Sequence, residues 1–201
     1  VDFKEAENIK SLFVESSIGR LHFYKGMSLY KLHSGSKGGI NDEMADQILK
    51  DLGEAVRIDS TWFQPVEEVF ADLHVQYEER FRVQLKTARR EDTVDDKAQA
   101  FLEYVALVDK AHLFQADDGS DLLKAKAFHE IGDLYFEDSN NVASLQKAGQ
   151  HFKSAIEYYE IARYNDPFSK DIIKSLLDLS KRMDDPSRVQ EYSKLLELAG
   201  G

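Results

Sequence analysis

Apolar residues recur at helical spacing along nearly the whole chain, while the alternation expected of a half-buried strand is hard to find. The pattern predicts about nine helices. A first, near 2–14, carries Phe3, Ala6, Ile9 and Phe13 on one face. Ser16, Ser17 and Gly19 offer a break, with Ser17 placed to cap a second helix near 18–33. That helix carries Ile18, Leu21, Lys25, Leu29 and Leu32, and Lys25 is a flaw in its stripe. After the glycine-rich loop of residues 34–39, a third helix near 42–58 gathers Ala45, Ile48, Leu49, Leu52, Ala55 and Val56. The longest stripe runs from Trp62 through Val66, Val69, Phe70, Leu73, Tyr77, Phe81 and Leu85 to Ala88, with Pro65 suited to the first turn. A fifth helix near 95–115 presents Ala98, Phe101, Leu102, Val105, Val108 and His112, and a turn at 116–120 leads to a sixth near 121–137. The seventh, near 142–164, shows Leu145, Ala148, Phe152, Ala155, Tyr159 and Ala162. The eighth, near 169–183, follows Ser169. The ninth has Asp185 as cap and Pro186 at its first position, then Val189, Tyr192, Leu196 and Ala199. No linker interrupts this rhythm, so residues 1–201 are expected to form one helical domain.

Composition narrows the range of partners. Three prolines and eleven glycines leave room for long helices. A net charge of −11 argues against nucleic acid or an anionic membrane as the main partner, since both need clustered cations. The one basic cluster, Lys86-Thr87-Ala88-Arg89-Arg90, runs straight into Glu91, Asp92, Asp95 and Asp96. It reads as a helix C-terminus favoured by cations beside an acidic loop. The absence of cysteine excludes disulfides and thiolate chemistry. No apolar run approaches the ~20 residues of a membrane span. The chain begins at Val1 rather than Met, so a removed signal or lipid anchor stays open, and with it the choice between cytoplasm and periplasm.

Candidate chemistry is sparse. None of the histidines 22, 33, 74, 112, 129 and 151 pairs with another at the i, i+4 spacing of a helical zinc site. His129-Glu130 begins like a zinc-protease motif, but Asp133 stands where the second histidine is needed. Asp117-Asp118-Gly119-Ser120-Asp121 lacks the alternating oxygens and distal Glu of a calcium loop and reads as an interhelical turn. Gly35-Ser36-Lys37-Gly38-Gly39 lacks both the spacing and the ending of a phosphate loop. No GxSxG element occurs. The expectation is a protein that is not an enzyme and uses no metal and no cofactor.

One hairpin carries a family resemblance. Phe128, Ile131, Gly132 and Tyr135 on a first helix are followed by Ala155, Tyr159 and Ala162 on a second, which stops at Asn165-Asp166-Pro167. Small residues beside a ring let paired helices approach closely. Together these residues resemble a tetratricopeptide repeat (TPR) over 125–167, although the stretch from Phe136 to Ser154 is longer than standard by about ten residues. A weaker match spans 19–60: Gly26, Leu29, Ile48, Leu52 and Ala55 fit, Ser60 replaces the closing proline, and His22 and Lys25 fit poorly. The 62–115 pair keeps Ala111, and the 170–199 pair matches in helix length only.

The resemblance implies an all-α, TPR-like array of antiparallel hairpins whose first helices line a concave face. The implied role is that of an adaptor or assembly factor binding another protein or peptide, a second copy of the chain included. Carried over by position, the partner-facing residues are Arg20, Phe23, Met27 and Tyr30 in the weaker repeat, and Lys126, His129, Asp133 and Phe136 in the better one. Phe23, Tyr30 and Phe136 fall off the repeat's core stripe, so they are either anchors for a partner or rings covered by the long helices. Only Arg20 and Lys126 suit the clamp with which some members grip C-terminal carboxylates, and its asparagine is absent. The alternative is a small-molecule binding protein with an apolar ligand enclosed among the hairpins, walled by the long helix with Trp62, Phe63, Phe70 and Tyr77.

Overall fold

The computed structural model describes residues 3–35, 39–111, 119–138 and 142–200, with side-chain surroundings from Glu15 onward in the first helix. Phe3, Ala6, Ile9, Phe13, His112, Asp117 and Asp118, named above, lie outside the residues so described, as does the side chain of Ala111. Every regular element among the described residues is helical: α1 (Phe3–Ser34), α2 (Asp42–Ile58), a 3-10 turn (Ser60–Trp62), α3 (Phe63–Ala88), α4 (Val94–Ala111), α5 (Ser120–Glu137), α6 (Val142–Asn165), α7 (Lys170–Arg182) and α8 (Pro186–Leu198). The fold is all-α. Helix α1 packs on α2, α5 on α6, and α7 on both α6 and α8. The chain divides into two compact units, one of residues 1–79 and 110–116, the other of residues 80–109 and 117–201. No helix among the described residues is long and apolar enough to cross a membrane.

In the first unit α1 runs unbroken through Ser16, Ser17 and Gly19, where two helices were expected. Gly19 serves approach rather than termination: a Cβ there would lie 3.1 Å from Ile58 Cγ2 on α2. A mid-helix glycine costs up to about 1 kcal/mol in propensity, which the close packing offsets. The inward face of α1 is also not the expected one. Leu21 and Leu32 are 66% and 69% exposed, whereas Gly19 and Gly26 are buried and His22, Phe23 and Tyr30 are half-buried. The reason is Asp51, a carboxylate of α2 that is 1% exposed. It accepts hydrogen bonds from Lys25 Nζ at 3.1 Å and Gln47 Nε2 at 2.7 Å, and contacts His22 Nδ1 at 3.0 Å. Burial pushes the Asp51 carboxyl up, but the hydrogen bonds from Lys25, Gln47 and His22 hold it below the usual range. Lys25, the flaw in the apolar stripe, is thus a partner for a buried charge. Helix α2 itself starts where Asn41 accepts from the Met44 amide at 2.9 Å.

In the second unit the core runs from Ala88 through Phe101, Val108, Ile131, Phe152 and Tyr159 to Leu176 and Tyr192. At the centre of the α5–α6 hairpin, a Cβ on Gly132 would come within 2.3 Å of the Phe152 ring. The extra length after Phe136 is taken up by helix: α5 ends at Glu137, and α6 starts at Val142 and runs for 24 residues. Along this hairpin Tyr135, His151, Phe128 and Tyr158 stack in sequence at centroid spacings of 5.8, 6.0 and 5.7 Å. Lys147 lies over Tyr135 and Lys124 over Tyr158, each 4.6 Å from the ring centroid. Each ammonium also holds a carboxylate of α4, Lys147 with Asp95 at 2.9 Å and Lys124 with Asp109 at 3.1 Å. The expected cap of α8 is present, Asp185 accepting from the Arg188 amide at 3.1 Å.

Candidate functional site

A cleft of about 280 Å³, open to solvent, lies in the second unit between the end of α3, α4 and α5. Its apolar floor is made by Phe101 and Tyr104 of α4, Ala127 of α5 and Tyr159 of α6, each at most 3% exposed, with Leu85 and Leu123 beside them. Its polar wall is Lys126, His129, Glu130 and Asp133 of α5, and Arg89 at the end of α3 reaches it from the other side. Helical spacing puts 126, 130 and 133 on one side of α5. The approach of α6 allowed by Gly132 sets Tyr159 behind His129, with rings edge-on at 6.1 Å and the phenol 3.5 Å from Nδ1.

The charges of the wall are unevenly satisfied. Arg182 of α7 donates to Asp133 Oδ1 at 2.5 Å and to Asp178 Oδ2 at 2.8 Å. Its guanidinium also lies 5.8 Å from the Phe136 ring centroid and 5.7 Å from that of Phe152. His129 Nε2 is 3.9 Å from Asp133 and 3.7 Å from Asp178. Burial lowers the His129 pKa despite those carboxylates, and Arg182 adds to the effect. Burial raises the Asp133 pKa, against the pull of His129 and Arg182. Arg89 and Lys126, by contrast, are exposed and hold no side-chain partner among the described residues. The arrangement can seat an apolar group on rings and present two uncommitted cations beside it.

The residues expected to face a partner separate accordingly. Lys126, His129 and Asp133 line the cleft together, while Phe136, 40% exposed, sits under Arg182. In the first unit Arg20 faces solvent and Met27 is half-buried. Phe23 stacks on Trp62 with centroids 4.3 Å apart, and the Tyr30 hydroxyl donates to Asp72, which raises its pKa to about 12. Those two rings therefore tie α1 to its own unit. The sequence does not single out Arg89 or Tyr104: Arg89 belongs to a basic cluster that reads as a helix C-terminus, and Tyr104 lies between the stripe positions Phe101 and Val105.

A second cavity, of about 500 Å³, lies in the first unit beside α2. Its polar lining is largely committed. Asp46 accepts from the Tyr77 hydroxyl and pairs with Lys110, Arg57 holds Glu54 at 2.8 and 2.5 Å, and Gln47 serves Asp51. No known protein-family profile matches this chain, and no curated protein matches it.

Proposed function

We propose that the chain is a protein-interaction module, an adaptor or assembly factor, whose second unit seats an apolar side chain of a partner polypeptide in the α3–α4–α5 cleft. The observation that carries this reading is an open, ring-floored depression flanked by Arg89 and Lys126, which hold no side-chain partner among the described residues. Buried aromatic floors with a polar rim are where interface energy concentrates. The cleft is open to solvent along its α5 wall rather than closed over, which favours a polypeptide side chain over an enclosed ligand. The TPR resemblance points the same way, and Lys126, His129 and Asp133 keep the role it implies for them. In the first hairpin Arg20 faces solvent, with Asp59 within reach of its charge.

Selection of displayed random peptides on the purified chain tests the proposal. Enriched sequences should share an apolar anchor. They should lose affinity for Ala127→Leu, which fills the floor, and for Leu123→Gln, which makes it polar, while both variants keep a cooperative melt. Peptides that bind these variants as well as the parent chain would place docking elsewhere and end the proposal.

A further inference from the structure

We infer that the polypeptide segment seated in this cleft is acidic, with side-chain carboxylates held by Arg89 and Lys126 on either side of its apolar anchor. This rests on the docking function proposed above. The argument begins from the charge balance. The chain has 37 acidic residues against 26 basic ones, so an arginine or lysine has no shortage of carboxylates to pair with. In the second unit Arg163 holds Glu160 at 2.7 Å, Arg182 holds Asp133 and Asp178, and Arg188 lies 3.6 Å from Asp185. Lys124 and Lys147 are held by aspartates of α4. Arg89 and Lys126 hold no carboxylate among the described residues, as is also true of Lys97, Lys153, Lys174, Lys181 and Lys194; what sets the first two apart is that they line one cleft with an apolar floor between them.

Beside Arg89, Lys86 and Arg90 are also exposed and hold no side-chain partner among the described residues. In the acidic loop that follows, Asp95 is held by Lys147 and by Tyr135 at 2.6 Å, and Asp96 accepts from Thr93 at 2.6 Å. Glu91 and Asp92, next in the chain, offset part of this positive charge, and of the cluster it is Arg89 that lines the cleft. On the opposite wall Asp133 is already occupied by Arg182, which leaves Glu130 as the uncommitted carboxylate against two cations. A guanidinium and an ammonium flanking an apolar floor favour an apolar residue with acidic neighbours, and attraction of this kind steers association and weakens with salt.

The probe is a fluorescein-labelled, C-terminally amidated peptide with a Phe-Leu pair flanked by glutamates. Binding to the full chain is read by fluorescence anisotropy against the same peptide with glutamine, and with lysine, at the flanks. The glutamate peptide should bind at least about tenfold more tightly than the glutamine peptide. The advantage should shrink as salt is raised from about 0.1 to about 1 M, where the Debye length falls from about 10 to about 3 Å. Arg89→Gln with Lys126→Gln should remove the preference and leave the melting temperature unchanged. Lys174→Gln with Lys194→Gln, the same charge loss on exposed residues outside the cleft, should preserve it. Equal binding of glutamate and glutamine peptides would overturn the acidic preference and leave the docking function standing. Failure of every peptide to bind would overturn both. Equal sensitivity to the Lys174/Lys194 pair, or tighter binding of a single-stranded oligonucleotide displaced by the cleft variants, would overturn the inference as well.

Discussion

The α1–α2 and α5–α6 hairpins close by the same device and fill the space beside it with opposite chemistry. Each brings a glycine of its first helix against a large residue of its second, Gly26 against Leu52 and Gly132 against Phe152. Beside Gly26 the space is occupied by the buried Asp51 carboxylate and its partners His22, Lys25 and Gln47. Beside Gly132 it is occupied by the rings of Phe152, His129 and Tyr159. A buried charge with its hydrogen bonds made contributes little net stability, because desolvation cancels most of the attraction, but it is costly to leave unpaired. Rings contribute through buried area. Backbone approach is therefore the shared feature, and stability should be concentrated in the second hairpin.

The largest effect expected from that contrast is at Tyr159, 2% exposed behind the cleft. Tyr159→Ala should cost about 3–5 kcal/mol in denaturant-induced unfolding followed by circular dichroism. A loss under about 1 kcal/mol would mean that the ring is not what fills this hairpin.

The glycines give a sharper and smaller test. Alanine gains up to about 1 kcal/mol of helix propensity, and overpacking costs about 1–3 kcal/mol. At Gly132 the added methyl would meet the Phe152 ring at 2.3 Å, a flat group wedged in the core. At Gly26 it would meet Leu52 Cδ2 at 2.6 Å and Cγ at 2.7 Å, with the Leu52 backbone nitrogen at 3.3 Å, and Leu52 is fully buried. Gly132→Ala and Gly26→Ala should therefore each lose about 1–3 kcal/mol in the same unfolding measurement. A neutral outcome at either glycine would break the shared device.

The same contrast explains what could be read beforehand. Helix α2 falls at 42–58 as its pattern predicts, because one face is uninterrupted from Ala45 to Ala55 and Asn41 caps it. The second hairpin was legible for the same reason, with Phe152, Ala155 and Tyr159 all buried as their spacing implies. In α1 the rule failed. Its inward face is built of Gly19, His22 and Gly26, which meet Ile58, Asp51 and Leu52, with the ammonium of the exposed Lys25 reaching Asp51 from the rim, whereas apolar spacing alone points to Leu21 and Leu32 on the exposed face. Alignment to one repeat equates Leu52 with Tyr159, yet the residue facing the second glycine is Phe152, two turns earlier. Of the cleft, the α5 wall could be reached from the resemblance. The contribution of Arg89 could not, since whether a cation is paired depends on distant carboxylates such as Asp95.

The smallest effect separates the two chemistries by pH. In the second unit burial lowers the pKa of His129 and of His151, with Lys147 adding to the effect at His151. His129 faces Asp133 and Glu130 of its own helix and Asp178 and Arg182 of α7, while His151 lies between Phe128 and Tyr135. With the folded pKa below the unfolded value of about 6.5, the unfolded chain binds more protons, so stability present above about pH 6.5 is lost as pH falls through that value. Asp51 also has a lowered pKa, so its contribution is complete above its unfolded value of about 3.9 and is lost only below it. Melting temperature against pH should therefore fall in two stages. His151→Phe, which keeps a ring in the stack, should flatten the stage near pH 6 and leave the lower one. Asp51→Asn should reduce the lower stage, to which Glu54, Asp59 and Asp95 also contribute through lowered pKa values, and leave the upper. If His151→Phe leaves the slope near pH 6 unchanged, the stacked ring of His151 does not carry this acid sensitivity, which then falls to His129 beside Phe152 and Tyr159.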